Sequence, residues 1–249
     1  MSSNTILITG GSSGIGQGLA EAFHKLGNQV MISGRRESVL RTICNANPGM
    51  RYMVMDVADP VSIRSATRLI LREFPRLNCV FNNAGVQYPH NFAAGVGLDE
   101  SAVIAEINTN LLATIILTSQ TIAHLRQQEN AILLNVSSGL AFVPLARFPV
   151  YCATKAAMHS FTVSLRHQLR ESGIKVIELI PPYVATNLGG PGKQVSPHAP
   201  QPMPLDAFLT QAMIELATDA DEIAIGDAKG LAAATNSALA EKIFSSMNR

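Results

Sequence analysis

The chain has 249 residues, 47% hydrophobic and 15% charged, and its 19 basic and 18 acidic side chains leave a formal net charge of +1. That apolar share builds a core and excludes a disordered chain, and at roughly 100–200 residues per domain the length fits one large domain or two small ones. The balanced charge gives no field to support binding nucleic acid or an anionic membrane, while three scattered cysteines, Cys44, Cys79 and Cys152, argue against a disulfide scaffold or zinc knuckle and fit a reducing cytoplasm.

The first residues run straight into a strand-like stretch without a charged and then apolar leader, so no signal peptide is expected. Apolar runs well short of ~18 residues predict no membrane span. Short β-branched runs predict strands at 5–9, 29–33, 51–55, 78–82, 131–136 and 174–180, with a weaker one at 223–225. Helical periodicity occupies the intervals near 15–26, 37–45, 61–74, 99–127, 150–172, 206–217 and 229–246. Several strands are apolar almost throughout, as when helices cover both faces of a sheet. This alternation predicts right-handed βαβ crossovers and a parallel sheet. With no internal repeat and no long linker, residues 1–249 read as a single α/β domain, a doubly wound parallel sheet of the Rossmann type.

One segment breaks the rhythm. Residues 181–204 hold seven of the chain's 13 prolines together with Gly189, Gly190 and Gly192, a density that forbids regular structure. It follows a strand's C-terminal end, where α/β sheets bind ligands. The stretch at about 187–205 is therefore either a substrate lid or a passive surface loop.

Directly after the first predicted strand comes Thr9-Gly10-Gly11-Ser12-Ser13-Gly14-Ile15-Gly16, and a helix opens there. A tight turn of this kind brings backbone N–H groups and the positive helix end to a pyrophosphate. Side chains at Gly10, Gly14 or Gly16 would obstruct the turn, the phosphates or the helix packing. The spacing is G-x-x-x-G-x-G rather than G-x-G-x-x-G, and no Gly-Lys-Ser/Thr follows, which excludes a Walker phosphate loop.

Further along stand Asn82-Asn83-Ala84-Gly85, Asn108-Thr109-Asn110-Leu111, Asn135-Val136-Ser137-Ser138 and Tyr151-Cys152-Ala153-Thr154-Lys155. With the glycine turn, this ordered series over about 5–186 resembles the short-chain dehydrogenase/reductase family, in its single-domain branch. Wording around Leu77-Asn78 and Asn82–Gln87 is also similar to bacterial oxidoreductases named for the teichoic-acid D-alanylation operon. The resemblance implies a catalytic set of Asn110, Ser138, Tyr151 and Lys155, and homodimers or homotetramers. It places Ser12, Ser13, Ile15 and the glycines at the phosphates. Asp56 and Val57 go to the adenine, although Asp56 could equally cap the next turn. Asn83, Ala84 and Gly85 pass along the cofactor, while Asn82 is read as a brace for the sheet. Pro181, the Val184 backbone and Thr186 hold the nicotinamide end. Pro182 stands where glycine is usual, which removes an N–H and leaves the contacts there open.

Tyr151 and Lys155 are four apart, so a helix puts them on one face. Reducing a ketone needs a proton donor at the carbonyl oxygen, and a nearby ammonium favours phenolate and lowers a phenol's pKa. Ser138 would hold the substrate oxygen beside that hydroxyl. In the family, Asn110 supports a water that links Lys155 to solvent. Opposite Tyr151, Lys155 and Thr162, a helical wheel gathers Ala153, Ala156, Ala157, Ser160 and Ser164. Such a small-residue face packs closely, either across subunits or within the monomer.

Cofactor choice reads from Ser33-Gly34-Arg35-Arg36. NAD-using sites place an acid about 20 residues past the glycine turn. Here Gly34 leaves room for a 2′-phosphate, and Arg35, with Arg36 either helping or facing water, can grip it. NADP(H) is expected over NAD(H). The substrate wall is expected from Leu140, Phe142, Val143, Leu145 and Phe148, with polar contacts from Gln87 and Tyr88. Arg147 either anchors a carboxylate or is solvated. That wall suits a medium-sized, mostly apolar ketone or secondary alcohol. The six histidines form no metal motif, His159 and His167 read as exposed helix residues, and no metal is expected. A cofactor-binding redox sensor without turnover is the competing reading, although such relatives typically lose the tyrosine or lysine.

Overall fold

Strand β1, Thr5–Thr9, is buried at every residue. Its side chains alternate between two apolar layers: Ile6 and Ile8 join Leu19, Phe23 and Phe81 on one side, while Leu7 joins Ile63, Val80 and Leu133 on the other. A strand buried on both faces needs helices on both, and the computed structural model has that arrangement. It describes residues 3–94, 97–189, 201–234, 242–243 and 245–246. After β1 come α1 (Gly14–Lys25), β2 (Gln29–Gly34), α2 (Glu37–Ala46), β3 (Arg51–Val54), α3 (Pro60–Glu73) and β4 (Cys79–Asn82). The second half adds α4 (Glu100–Ile107), α5 (Ala113–Leu125), β5 (Ala131–Val136), α6 (Pro149–Leu169), β6 (Ile174–Ile180), α7 (Leu205–Glu215), β7 (Glu222–Ala224) and α8 (Ala228–Ala233).

All seven strands pair in parallel, in the order β3-β2-β1-β4-β5-β6-β7. The order reverses between β1 and β4, so the crevice at their C-terminal ends is the topological switch point where such sheets bind ligands. Local chemistry starts the helices. Asp59 accepts hydrogen bonds from the Val61 and Ser62 N–H groups and Pro60 follows it, and Asp99 caps α4 in the same way.

The structure departs from the sequence reading within one long helix. The segment read as one helix over 99–127 runs from Glu100 to Leu125 but widens into a π-turn at Asn108–Leu112. By length and composition that rod is apolar enough to cross a bilayer, which the apolar run lengths did not suggest. Here it packs against α3 and α6, with Leu117 and Leu125 in the core. The expected helix over 229–246 is described as α8 only to Ala233; residues 235–241 lie outside the described residues. Of the expected 187–205 loop, residues 190–200 lie outside them too, while Met203 bridges back to Val184 and Leu205 already opens α7.

Candidate active site

A cleft of about 1460 Å3 opens along the C-terminal ends of the strands. Its floor begins at the glycine turn. Gly10 has φ +66°, a left-handed conformation that side chains disfavour, and a Cβ there would stand 2.8 Å from the Ala84 Cα. A Cβ on Gly16 would stand 2.3 Å from Asn83 Nδ2 and 2.5 Å from the Gly10 carbonyl oxygen. The turn therefore interlocks with the segment after β4. Thr9 fixes that segment: its hydroxyl accepts the N–H groups of Asn83 and Ala84, and its carbonyl accepts Asn83 Nδ2 at 2.9 Å. The sequence reading gave Thr9 no role, though its place before Gly10 was in view.

Every residue expected at the cofactor lines this cleft: Gly10, Ser12, Ser13, Gly14, Ile15, Gly16, Arg35, Arg36, Asp56, Val57, Asn83, Ala84, Gly85, Tyr151, Lys155, Pro181, Val184 and Thr186. Thr186 comes close to the glycine turn, for a Cβ on Gly14 would meet its side chain at 3.3 Å. At the other end, Arg36 Nη2 donates to the Ser12 hydroxyl at 3.1 Å, so this arginine fastens the rim to the turn. Asp56 lines the cleft and also caps its own turn, accepting the Ala58 N–H at 2.9 Å. Asn82 braces the sheet: it donates to Asn135, which donates to Thr162 on α6.

Helix α6 carries Tyr151 and Lys155 on its buried face. The Lys155 ammonium donates to the Val136 carbonyl at 2.8 Å and lies 5.7 Å from the centre of the Tyr151 ring. Burial pulls its pKa down to about 8, and the Glu178 charge opposes that drop. Tyr151 departs from expectation. Burial pushes its phenol well above the ordinary range, the Ser138 hydrogen bond pulls the other way, and Cys152 and Glu106 add to the rise. Within the chain's own surroundings the desolvation of a phenolate outweighs any help from Lys155. Ser138 is held in place as the cap of a short 3-10 turn, its hydroxyl accepting the Leu140 N–H.

Asn110 alone of the four expected catalytic residues does not line the cleft. It is buried at the π-turn, where its side chain accepts the Val86 N–H and donates to the Val86 carbonyl and the Thr154 hydroxyl.

The substrate end is partly as expected. Leu140, Leu145, Phe148, Gln87, Tyr88 and Arg147 line the cleft. Phe142 and Val143 do not: Val143 is buried, and Phe142 lies 4.6 Å from the His159 ring. Tyr183, Leu188, Met203, Asp227 and Leu231 complete the wall. Tyr183, Leu188 and Met203 belong to the proline- and glycine-rich segment read as a candidate lid, whereas no motif announces Asp227 and Leu231. Glu106 was also illegible. Fully buried on α4, it accepts the Tyr88 N–H at 3.1 Å and pairs with His90 at 3.1 Å, tying down the loop after Gly85. Burial raises its pKa, and the His90 contact opposes the rise.

His159 is a correction: it is half-buried, and its Nδ1 lies 2.9 Å from Glu178. His159, Glu178 and Glu222 offer ligand atoms within 4.8 Å of one another, a grouping invisible in their spacing along the chain. The small residues Ala153, Ala156, Ser160 and Ser164 are exposed rather than packed inside the chain.

Comparison with known proteins agrees with this geometry. The family model for short chain dehydrogenase matches residues 4–194. The chain is similar to an uncharacterized oxidoreductase DltE of Bacillus subtilis, 46% identical over 76% of this chain and 74% of that protein. Among solved structures it is similar to a short-chain dehydrogenase from Streptomyces avermitilis, with TM-score 0.81 and 25% identity over 98% of this chain and 93% of that one. It is also similar to a Sphingobium yanoikuyae short-chain dehydrogenase in complex with NADPH, with TM-score 0.76 and 25% identity over 89% and 86% of the two chains.

Proposed function

We propose a function from one premise: this chain belongs to the short chain dehydrogenase family of oxidoreductases. On that premise it is an NADP(H)-dependent carbonyl reductase, or alcohol dehydrogenase in the reverse sense, for a medium-sized, mostly apolar substrate. The observation that carries this reading is the convergence of Ser138, Tyr151 and Lys155 on one cleft with the glycine turn and Arg35. The residues present fit a dinucleotide. The glycine turn that opens α1 would hold a pyrophosphate on its backbone N–H groups, the arginine rim suits a 2′-phosphate, and Thr186, beside that turn, lines the same cleft.

When bound, the nicotinamide supplies hydride to, or takes it from, the substrate carbon. Ser138 holds the substrate oxygen against the Tyr151 hydroxyl. Tyr151, kept protonated by its burial, donates its proton to that oxygen as negative charge develops there. Lys155 sets a positive charge beside the tyrosine and would hold the nicotinamide ribose. Leu140, Leu145 and Phe148 exclude water from the reacting centre. Purified protein incubated with NADPH and a panel of ketones, keto esters and aldehydes is expected to oxidise NADPH with apolar ketones. Tight NADPH binding with no turnover on any of them would establish the redox-sensor reading instead.

The same reading places the protein in the cytoplasm as a homodimer or homotetramer. Supporting this, the exposed small face of α6 continues into Val163, and Ile104, Ile107 and Leu112 on the neighbouring rod are exposed as well. Ala156→Glu is expected to reduce the assembly to monomers in size-exclusion chromatography with light scattering. An unchanged mass would refute that interface.

A further inference from the structure

Glu178 is a carboxylate on β6, the strand beside the edge strand β7, with no exposure to solvent. An ionised group so placed persists only where its surroundings repay the lost hydration. One oxygen, Oε2, accepts from His159 Nδ1 at 2.9 Å, and the other, Oε1, has no hydrogen-bond partner among the described residues. A single hydrogen bond to a half-buried histidine is poor repayment, so a nearby positive charge is called for.

The helix supplies it. Tyr151, Lys155 and His159 follow one another at intervals of four along α6 and so share a face. Lys155 reaches the Val136 carbonyl at the end of β5, and Glu178 on β6 is paired in register with Asn135, the residue before Val136. The carboxylate thus lies under α6, bonded to the residue one turn beyond the lysine. The other charged groups around it are accounted for. Glu222, its register partner on β7, is exposed to water and brings a second carboxylate within 4.8 Å of the His159–Glu178 pair, and Arg166 on α6 is spent on the Val176 and Asp221 carbonyls.

We propose that Glu178, oriented by His159, is a positioning residue of the reductase site: its negative charge keeps the neighbouring Lys155 protonated in a place where burial works against the ammonium. This rests on the function proposed above. The direction agrees with the balance at Lys155, where desolvation lowers the pKa and Glu178 raises it. His159, with part of its ring at the surface and Phe142 tilted against it, holds the carboxylate in place from the solvent side.

The test is the pH profile of turnover and, separately, of NADPH affinity in Glu178→Gln, which keeps the shape and removes the charge. Losing the carboxylate lowers the Lys155 pKa, so the alkaline fall of kcat is expected at a pH lower by about one unit, with KM for the ketone unchanged. The NADPH dissociation constant should weaken over the same shifted range. Glu178→Asp should restore the profile in part, and His159→Gln should move it the same way by less. A folded Glu178→Gln protein whose alkaline limb stays in place, losing activity equally at every pH, would overturn the proposal and leave Glu178 a structural group. If Glu178→Gln does not fold, an unmoved limb in His159→Gln overturns it equally. A wild type that binds no NADPH and reduces no ketone defeats the functional reading itself, which separates the two failures.

Discussion

Tyr151→Phe is expected to lower turnover by at least about 10²-fold, the low end of what a positioned general acid contributes, while NADPH affinity stays within a few-fold of wild type. The phenylalanine ring keeps the packing, for Tyr151 is almost wholly buried and sits in an apolar cluster with Phe148 and Cys152, against which Leu140 and Leu145 pack. Only the hydroxyl is lost, and with it the hydrogen bond to Ser138 and the proton donor. Because burial holds that phenol above its ordinary range, its acid form is fully populated at neutral pH and its own titration should add no pH dependence there. Lys155→Ala should behave differently, lowering turnover and cofactor affinity together. Single-turnover kinetics on the best ketone decide the matter: wild-type turnover by Tyr151→Phe in a chemistry-limited reaction would refute the assigned donor.

Gly34→Asp combined with Arg35→Leu is expected to turn an NADP(H) preference toward NAD(H). A Cβ at residue 34 would stand 3.4 Å from the Ser12 hydroxyl and 3.7 Å from Leu40, so a small side chain fits at the end of β2. The new carboxylate repels a 2′-phosphate and accepts hydrogen bonds from a ribose diol. Removing the Arg35 fork costs a charge-assisted contact worth about 1.5–3 kcal/mol. At about 1.4 kcal/mol per decade, the ratio of kcat/KM values for the two cofactors should swing between roughly 10- and 100-fold. Arg36 stays in both proteins, and its bond to Ser12 should preserve the turn. A wild type that favours NADH, or a double variant with unchanged preference, would sink this assignment.

How far the site was legible follows from how each part is made. The glycine turn is written in contiguous residues because its constraint is local: one backbone path, a close approach at Gly16, and positive φ at Gly10 and Gly14. Tyr151 and Lys155 share a face by helix geometry alone. The parallel sheet could be read because strands covered on both sides, such as Thr5–Thr9, lose their polar alternation. Phe142 shows where this stops. It lies in the same apolar run as Leu140 and Leu145, yet the 3-10 turn at Gly139–Ala141 rotates it away from the cleft and onto His159.

The sequence by itself thus determined the sheet, its helices and the contiguous devices at the strand ends, since each depends on periodicity or on a few adjacent residues. Only the tertiary structure decided the rest. The π-turn within the rod at Asn110 meets Val86 and Thr154, 24 and 44 residues away. The buried pairs His90–Glu106 and His159–Glu178 join different elements, as does the wall made by Tyr183, Met203 and Leu231. In these places a polar or apolar side chain gains its meaning from a partner distant in sequence. Whether burying a carboxylate such as Glu178 is tolerated depends on that partner's position rather than on any neighbour in the chain.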